Sequence, residues 1–276
     1  MTSGYRQTYD QWRSDPQAFW REAAREIAWI RPPERIFDPE GGVYGLWFPG
    51  ARCNACYNAI DRHVEAGRGD QIALYYDSPV TATKRAITYQ GLLDETATLG
   101  AALEDLGVGP GDRVLIYMPM IPEAVIGMLA CARIGAVHSV VFGGFAAKEL
   151  ARRIDDAEPK VVLTASCGVE PGRVVEYKPL LDSAIGLATH KPATCVIYQR
   201  PQIEAAMNEA RDRDWGALAA AAKAAGKRAQ CADLAATDPL YILYTSGTTG
   251  IPKGVVRDIG GYLVALKWSM SAIYDV

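Results

Sequence analysis

The residues with the clearest chemical potential follow a short apolar run near residue 240. Residues 240–244 predict a buried strand because they combine aromatic, β-branched and aliphatic side chains without a charge. The next six positions hold four hydroxyl groups and two glycines, and a lysine follows: Thr245, Ser246, Gly247, Thr248, Thr249, Gly250 and Lys253. Hydroxyls, bare backbone amides and a cation are the groups that bind phosphate oxygens. The segment therefore predicts a loop that binds the phosphates of a nucleotide.

Two kinds of phosphate loop compete for this segment. A Walker A loop ends in Gly-Lys-Ser/Thr and continues directly into a helix. Here Lys253 lies between Pro252 and Gly254, and two valines follow. The spacing therefore excludes a Walker A loop. A surface turn that follows a strand and binds no ligand is the remaining alternative.

The elements that must position this loop alternate regularly from Gly91 onward. Apolar strands without polar alternation are each separated by a helix, which is typical of a parallel sheet covered on both faces. Strands are predicted at residues 114–118, 137–142, 160–165 and 194–199, and helices at residues 92–106, 122–134, 148–157 and 179–188. Such sheets bind ligands at the carboxyl ends of their strands. We expect an α/β fold with a largely parallel sheet flanked by helices, and the Thr245 loop at that edge.

The amino-terminal 50 residues predict a separate helical and wrapping region. Apolar residues spaced by three or four from Pro16 onward predict an amphipathic helix up to residue 30, which Pro32 and Pro33 end. Aromatic residues up to Gly50 predict an arm that docks on a larger body, although a ligand cage is the alternative. Residues 51–276 then form the main region, beginning with a helix at residues 54–64 that Asn54 caps. An alanine-rich surface helix without visible catalytic residues is predicted within residues 200–227.

Composition restricts the class of protein. The formal charge is −3, from 29 Lys and Arg against 32 Asp and Glu, so no basic surface for nucleic acid or membrane is indicated. No apolar run is long enough to span a bilayer, and the first residues resemble neither a signal nor a transit peptide, which predicts a cytoplasmic protein. Cys53 and Cys56 form a CxxC, but no second ligand pair or thioredoxin-like context accompanies it, so packing is favoured over a zinc or redox role. A small-molecule partner is expected, and no metal-ligating residue is assigned.

The sequence YTSGTTGIPKG resembles the phosphate loop of the acyl-adenylate-forming enzymes. The amino-terminal stretches SDPQAFWREAAREIAWIRPP and WFPGARCNACYNAIDRHV resemble short-chain acyl-CoA synthetases of the acetyl/propionyl type, and DRVLIYMPMIPEAVIGMLACARIGAVHSVVFGGF is more similar to the propionyl type. The resemblance implies a ligase that converts a short carboxylate and ATP into an acyl-adenylate, from which CoA displaces AMP. It implies ATP, Mg²⁺ and CoA as substrates or cofactor, with propionate first and acetate second as the acid. A nucleotide-binding module without catalysis is the competing class, and the amino-terminal region argues against luciferases and peptide-synthetase adenylation domains.

The resemblance also implies roles for individual residues. The hydroxyls and glycines from Thr245 to Gly250 would hold the β- and γ-phosphates of ATP with Mg²⁺, and Lys253 would act in catalysis by stabilising the charge of the departing pyrophosphate. A second loop, CGVEPGR, resembles a family loop whose arginines reach the nucleotide end of CoA, which assigns Gly172 and Arg173 to CoA binding. Glu170 and Pro171 stand where the family has its first arginine and its neighbour. Arg173 as a solvated turn residue is the alternative.

In the family, the acyl pocket, the adenine-binding motif and the mobile carboxyl-terminal domain lie downstream of the phosphate loop. The resemblance therefore implies that these 276 residues correspond to the amino-terminal part of such an enzyme, without the carboxyl-terminal domain. We expect this chain alone to be inactive, and we expect an apolar surface to be exposed near Val276.

Overall fold

The computed structural model describes residues 4–245 and 252–274, except for the side chain of Phe142. Its helices are α1 (Gly4–Ser14), α2 (Pro16–Ala23), α3 (Tyr89–Asp105), α4 (Pro122–Ile134), α5 (Ala147–Ala157), α6 (Tyr177–Leu187), α7 (Trp215–Ala224) and α8 (Ile259–Ala272). Its strands are β1 (Phe37–Asp38), β2 (Leu46–Trp47), β3 (Arg52–Cys53), β4 (Ile72–Ser78), β5 (Thr83–Thr88), β6 (Arg113–Met118), β7 (Val137–Phe142), β8 (Val161–Ala165), β9 (Cys167–Glu170), β10 (Arg173–Glu176), β11 (Thr194–Tyr198), β12 (Asp212–Asp214), β13 (Leu234–Ala235), β14 (Pro239–Thr245) and β15 (Lys253–Asp258). None of these helices is long and apolar enough to cross a membrane.

Seven strands form one central sheet in the order β12-β11-β8-β6-β7-β14-β15. Neighbouring strands run parallel throughout, except that the edge strand β15 runs antiparallel to β14. The predicted α/β fold with a largely parallel sheet is therefore confirmed. The eight strands and helices predicted between residues 92 and 199 are present, with bounds that differ by about three residues at most.

The core lies on both faces of this sheet because successive side chains of a strand point to opposite faces. On one face, Ile116 and Leu163 belong to a buried cluster that includes side chains of α3 and α4. On the other face, Leu115 and Val162 belong to a buried cluster that includes side chains of α5 and α6. Burial on both faces explains why these strands carry no polar alternation.

The amino-terminal helix is shorter than the sequence predicts. Asp15 caps α2 by accepting a hydrogen bond from the Ala18 N–H at 2.9 Å, but regular helix ends at Ala23, and Ile27 is already extended. The prediction of helix up to residue 30 is therefore wrong. The chain turns earlier because its backbone bonds elsewhere, as when the Ala28 N–H donates to the Asn58 side chain at 2.8 Å.

The helix predicted at residues 54–64 is present in a modified form. Asn54 caps it as predicted, because its side-chain oxygen accepts a hydrogen bond from the Tyr57 N–H at 3.1 Å. Beyond that, Tyr57–Asp61 and Val64–Arg68 are wider π-type turns rather than regular α-helix. Sequence periodicity does not distinguish these helix types, since both place apolar side chains on one face.

The aromatic side chains of the arm dock on α8 and on one another. Trp20 and Phe19 lie 5.8 and 5.5 Å from Trp268, measured between ring centroids, with the rings steeply inclined. Trp20 also contacts Trp47 at 6.1 Å. Within the arm itself, Phe48 is buried in the main core and Trp47 packs against that core, whereas Tyr44 is exposed, so docking describes only part of the arm.

Apolar side chains are exposed on the last described elements, as expected. They belong to β14, β15, α8 and the residues after it, and they are Leu243, Val256, Leu266, Ile273 and Tyr274. Leu243 and Val256 are 51% and 57% exposed although they lie on paired strands of the sheet. Leu243 is paired with Val255, so Leu243 and Val256 are exposed on opposite faces of the sheet.

A buried ionic network fastens the opposite edge of the sheet. The fully buried Asp212 carboxylate of β12 accepts hydrogen bonds from Lys178 at 2.9 Å and from Arg211 at 2.8 Å. Both cations also contact Asp182 at 2.5 Å. The sequence analysis missed β12 because its charged residues resemble a surface loop, whereas Asp212 is buried and paired with Lys178 and Arg211.

Replacing Asp212 with asparagine is expected to destabilise the fold by about 3 kcal/mol at neutral pH, because the buried Lys178 then loses its buried counter-charge. Burial alone would raise the pKa of Asp212, but the hydrogen bonds from Arg211 and Lys178 outweigh it and lower the pKa below the ordinary value of 3.8. A lowered native pKa adds stability above pH 3.8 that is lost as the pH falls through the native value. Urea unfolding at pH about 6 and about 3 should therefore show the difference between the two proteins shrinking in acid.

Asp70→Asn is the matched control, because Asp70 is exposed and forms no ion pair among the described residues. It should change the free energy of unfolding by less than about 0.5 kcal/mol at both pH values. An Asp212→Asn difference that is equally large at both pH values would contradict the role assigned to the network.

Candidate functional site

The candidate site lies at the carboxyl edge of the parallel strands. β14 pairs with β7 in parallel, with Tyr241 opposite His138, and it ends at Thr245. The predicted residues Ser246, Gly247, Thr248, Thr249 and Gly250 lie outside the described residues. The strand that leads into them is therefore at the edge where the sequence analysis expected it.

Thr245 and Lys253 face each other across the turn. They form the last residue pair of the β14–β15 hairpin, and the Thr245 hydroxyl donates to the Lys253 carbonyl at 3.5 Å. Both residues are exposed, and the Lys253 ammonium forms no ion pair in the part of the chain that the structure describes. The structure thus brings together the two described members of the predicted phosphate loop, with one cation and one hydroxyl available to a ligand.

Helix α5 holds the end of β14 in place. The Tyr244 hydroxyl donates to the Asp156 carboxylate at 2.5 Å, and burial together with this hydrogen bond raises the pKa of Tyr244. The Arg153 guanidinium lies over the Tyr244 ring at 5.5 Å and over the Phe145 ring at 4.4 Å. Its side chain is only 6% exposed, so these contacts with aromatic faces are largely shielded from water. The residue directly before the loop therefore has a fixed position.

The turn between β7 and α5 is fixed beside this hairpin. The Tyr117 hydroxyl donates to the carbonyls of Phe145 at 3.1 Å and Gly143 at 3.3 Å. The Tyr177 ring stacks on Tyr117 with 4.9 Å between centroids, and its hydroxyl occupies the place of any side chain at Gly143. Glycine is required there because the backbone and the tyrosine approach so closely. The turn therefore keeps Phe145 where Arg153 can bridge it to Tyr244.

The two residues assigned to CoA binding lie on a different hairpin, formed by β9 and β10. Gly172 has a φ of +78°, which the turn between these strands requires. The Arg173 side chain is 69% exposed and contacts the Glu170 carboxylate at 2.6 Å. Among the described residues, no hydrogen bond or ion pair joins this hairpin to Thr245 or Lys253. Glu170 thus neutralises the charge of Arg173 in this hairpin.

A buried carboxylate at the same edge of the sheet was not found from the sequence. Glu123 lies in the first turn of α4, directly after β6, and accepts a hydrogen bond from Arg85 of β5 at 2.7 Å. Burial and the nearby Glu123 carboxylate raise the pKa of Tyr198, the last residue of β11. An acidic residue in the first turn of a helix can be recognised from the sequence. Its ion pair with Arg85 cannot, because Arg85 lies 38 residues earlier in the chain. Because Glu123 is held by Arg85, it anchors the β4–β5 hairpin rather than serving as a free base.

The family model described as "AMP-binding enzyme" matches residues 60–275, which is most of the chain. The chain belongs to the AMP-binding enzyme family. A second model, described as "Acetyl-coenzyme A synthetase N-terminus", matches residues 5–59. Both matches agree with the resemblance that the phosphate-loop sequence and the amino-terminal stretches indicated.

The relatives of this AMP-binding chain are short-chain acyl-CoA synthetases. It is 52% identical to the rat mitochondrial acyl-CoA synthetase short-chain family member 3, over 95% of this chain and 38% of the relative. It is 45% identical to the propionate–CoA ligase of Escherichia coli, over 95% of this chain and 41% of that relative. A solved structure, acetoacetyl-CoA synthetase from Streptomyces lividans, superposes with a TM-score of 0.84 at 27% identity, over 96% of this chain and 40% of that one. The chain thus spans about two fifths of the length of these relatives.

The cavity of about 490 Å³ in this AMP-binding chain does not coincide with the phosphate-loop hairpin. It lies between the aromatic arm and α8, where Trp20, Tyr241 and Tyr262 line it together with Asp258. Asp258 pairs with Pro239 at the start of β14, which is the end of the hairpin opposite Lys253. Among the described residues, the cavity is therefore a feature of the arm and α8 that does not include Thr245 or Lys253.

The hydrogen bond from Tyr244 to Asp156 is expected to contribute about 1 kcal/mol to the coupling of α5 with β14. A double-mutant cycle with Tyr244→Phe and Asp156→Asn, followed by urea unfolding, measures this coupling free energy directly. Tyr75→Phe serves as the control because Tyr75 is exposed on β4 and its hydroxyl has no hydrogen bond to a described residue. Strict additivity of the two single changes would show that the pair does not hold the strand.

Proposed function

We propose that the β14–β15 hairpin binds the β- and γ-phosphates of ATP in an enzyme that activates a short-chain carboxylate and transfers the acyl group to CoA. The observation that carries the proposal is the pairing of Thr245 with Lys253 at the carboxyl edge of the parallel sheet. Membership of the AMP-binding enzyme family and the names of the relatives support the same reaction class. This chain spans about two fifths of those relatives, so the activity we propose is that of a protein of the relatives' length.

In the first step, a carboxylate oxygen attacks the α-phosphorus of ATP, and the bond from that phosphorus to the bridging oxygen breaks. Pyrophosphate leaves, and the acid becomes an acyl-adenylate whose acyl carbon now has a good leaving group. The Lys253 ammonium and the hydroxyls of the loop stabilise the negative charge that develops on pyrophosphate. In the second step, the CoA sulfur attacks the acyl carbon, AMP leaves with the former carboxylate oxygen, and the thiol proton passes to solvent.

The hairpin suits this task because its strand is held rigidly before the loop begins. Tyr244 is bound by Asp156 and covered by Arg153, so the amides and hydroxyls that follow start from a fixed point. Positioning donors in advance lowers the reorganisation required when the phosphate charge shifts. We assign Tyr244, Asp156 and Arg153 to positioning and Lys253 to contact with the phosphates.

Mg²⁺ is the expected partner of the ATP phosphates. It prefers hard oxygen ligands and commonly combines phosphate oxygens with few protein ligands. The Thr245 hydroxyl fits this preference, as do the hydroxyls of Ser246, Thr248 and Thr249, which lie outside the described residues. Asp156 is already bound by Tyr244. When bound, Mg²⁺ would supply charge neutralisation and orientation of the phosphates.

Propionate is our first choice of acid, and acetate is the alternative. The proposal rests on the sequence resemblance to the propionyl type, and the E. coli relative named propionate–CoA ligase supports it. A relative named acetyl-coenzyme A synthetase from Streptomyces avermitilis is 43% identical and supports acetate as the alternative.

Two further assignments stay predictions: CoA contact by Gly172 and Arg173, and a cytoplasmic location. A nucleotide-binding module without chemistry is the second candidate, since a hairpin that holds the phosphates of ATP does not by itself require a reaction.

Lys253→Ala is expected to weaken binding of Mg·ATP to this chain by about tenfold, because one charge-assisted phosphate contact is lost. Titration calorimetry measures this change without requiring turnover. Lys223→Ala is the matched control, because Lys223 is an exposed lysine on α7, which packs near the opposite edge of the sheet. Equal affinities for all three proteins would remove Lys253 from the proposed role.

The complete gene product is expected to form acyl-adenylate most efficiently with propionate in a series of acetate, propionate and butyrate. One methylene group in an apolar pocket changes kcat/KM by about tenfold or more. Exchange of labelled pyrophosphate into ATP measures the first step for each acid. The 276-residue chain alone should give no exchange with any of them.

Three outcomes would contradict parts of this proposal. Acetate as the best acid would replace propionate. Binding of ATP without adenylate formation from any acid would favour the module without chemistry. Exchange that depends on propionate in the 276-residue chain would refute its predicted inactivity.

A further inference from the structure

Two cysteines from distant parts of the sequence meet outside the candidate site. Cys56 lies in the helical segment that follows β3, and Cys231 precedes β13. Their Sγ atoms and a carboxylate oxygen of Asp61 all lie within 4.8 Å of one another. Cys56 is buried and Cys231 is partly exposed. The thiol neighbour of Cys56 is therefore Cys231, and the nearby Cys53 of the CxxC sequence is buried separately in β3.

A set of hydrogen bonds holds the two cysteine-bearing segments together. The Asn54 side-chain amide donates to the carbonyls of Arg133 and Ala232, each at 3.0 Å. The Ala232 N–H also donates to the Arg133 carbonyl at 2.8 Å. Both segments are thus fixed against the last turn of α4. The proximity of the two thiols follows from this shared anchoring and not from flexible surface loops.

The same neighbourhood disfavours a metal ion. Both oxygens of Asp61 are engaged by the Arg133 guanidinium, at 2.8 and 2.9 Å. A terminal nitrogen of Arg133 also lies 3.5 Å from the Cys56 sulfur. A cation between the two sulfurs would meet this buried positive charge and a carboxylate that is already paired. In contrast, a bond between the two sulfurs needs no cation and leaves the pairing of Asp61 with Arg133 intact.

We propose that Cys56 and Cys231 form a reversible disulfide within the folded chain, with a small-molecule disulfide of the glutathione type as oxidant. The thiolate of the more exposed Cys231 attacks one sulfur of the oxidant, which forms a mixed disulfide and releases one small thiol. The Cys56 thiolate then attacks the Cys231 sulfur, forms the internal bond and releases the second small thiol. The two protein thiols lose two protons and two electrons, and the oxidant is reduced to two thiols.

The two sulfurs must approach from within 4.8 Å to about 2 Å to form the bond. The Cys231 side chain is partly exposed, whereas Cys56 is buried, so Cys231 is the side chain with more room to turn. A hydrogen bond in which the Cys231 thiol is the donor and the Cys56 sulfur the acceptor, together with burial, raises the pKa of Cys231, so the first attack should be slow at neutral pH. This modification site does not depend on the proposed ligase function, because it lies on elements away from the hairpin.

The test uses the purified 276-residue chain, incubated with oxidised glutathione in mildly alkaline buffer until the thiol content is constant. Peptide mapping without reduction should find one cross-linked peptide pair that contains Cys56 and Cys231. The cross-link should raise the Tm by about 5 °C, since it closes a long loop of the unfolded chain. Dithiothreitol should reverse both changes.

Variants separate this pair from the other cysteines. Cys231→Ser should abolish the cross-link and the rise in Tm, whereas Cys195→Ala, which removes a buried cysteine of β11, should retain both. Four results would overturn the proposal. Peptide mapping could find a cross-link between other cysteines, or glutathione that stays on Cys231 without transfer to Cys56. The oxidised chain could have a lower Tm, or the reduced chain could retain a stoichiometric Zn²⁺ that Cys231→Ser loses. If a variant folds poorly, the peptide map of the oxidised chain without substitutions still shows whether Cys56 and Cys231 are cross-linked.

Discussion

The parallel pairing of β14 with β7 is the constraint on which the arrangement of this chain depends. It adds β14 to five strands that all run in the same direction, from β12 to β7 in the sheet order, so the end of β14 lies at the edge shared by their carboxyl ends. The pairing puts Tyr241 beside the His138 ring, 5.7 Å away. Burial lowers the pKa of His138 to about 4, so its ring is neutral at pH 7 and can remain in the interior. A charged ring at this position would oppose the pairing that carries the hairpin.

The hairpin is held at both ends by different physical means. At the loop end, a charged cluster on α5 binds Tyr244, and Gly254 opposite it leaves room, because an added Cβ would lie 3.3 Å from the Tyr244 ring. At the far end, β15 leads into α8, whose Trp268 packs against the aromatic arm. The arm therefore does more than cover the surface. It fixes the helix that follows β15, and it does so through ring contacts that do not depend on pH or salt.

The alternating strands and helices of the sheet could be predicted from the sequence because burial on both faces leaves an unbroken apolar run. The strand before Thr245 and the cap at Asn54 were also predictable, since each depends on local residue types. β12 and the ion pair of Arg85 with Glu123 were not, because charged residues that find partners far along the chain resemble exposed ones. The early end of α2 was missed for a related reason. The backbone of Ala28, which follows this helix, is bonded by the Asn58 side chain, and no local pattern reveals such a partner.

The hairpin with Arg173 shows how a sequence difference acts through charge. Glu170 forms an ion pair with Arg173, but both side chains are largely exposed, and exposed pairs of this kind contribute only about 1 kcal/mol or less. Opening the pair to admit a phosphate would therefore require little free energy. The larger effect is on long-range electrostatic attraction. A site with one arginine and one glutamate has no net charge, whereas a site with two arginines would have a charge of about +2 that attracts a polyanion. If Arg173 does contact the nucleotide end of CoA, Glu170 should weaken the electrostatic attraction more than it blocks the contact itself.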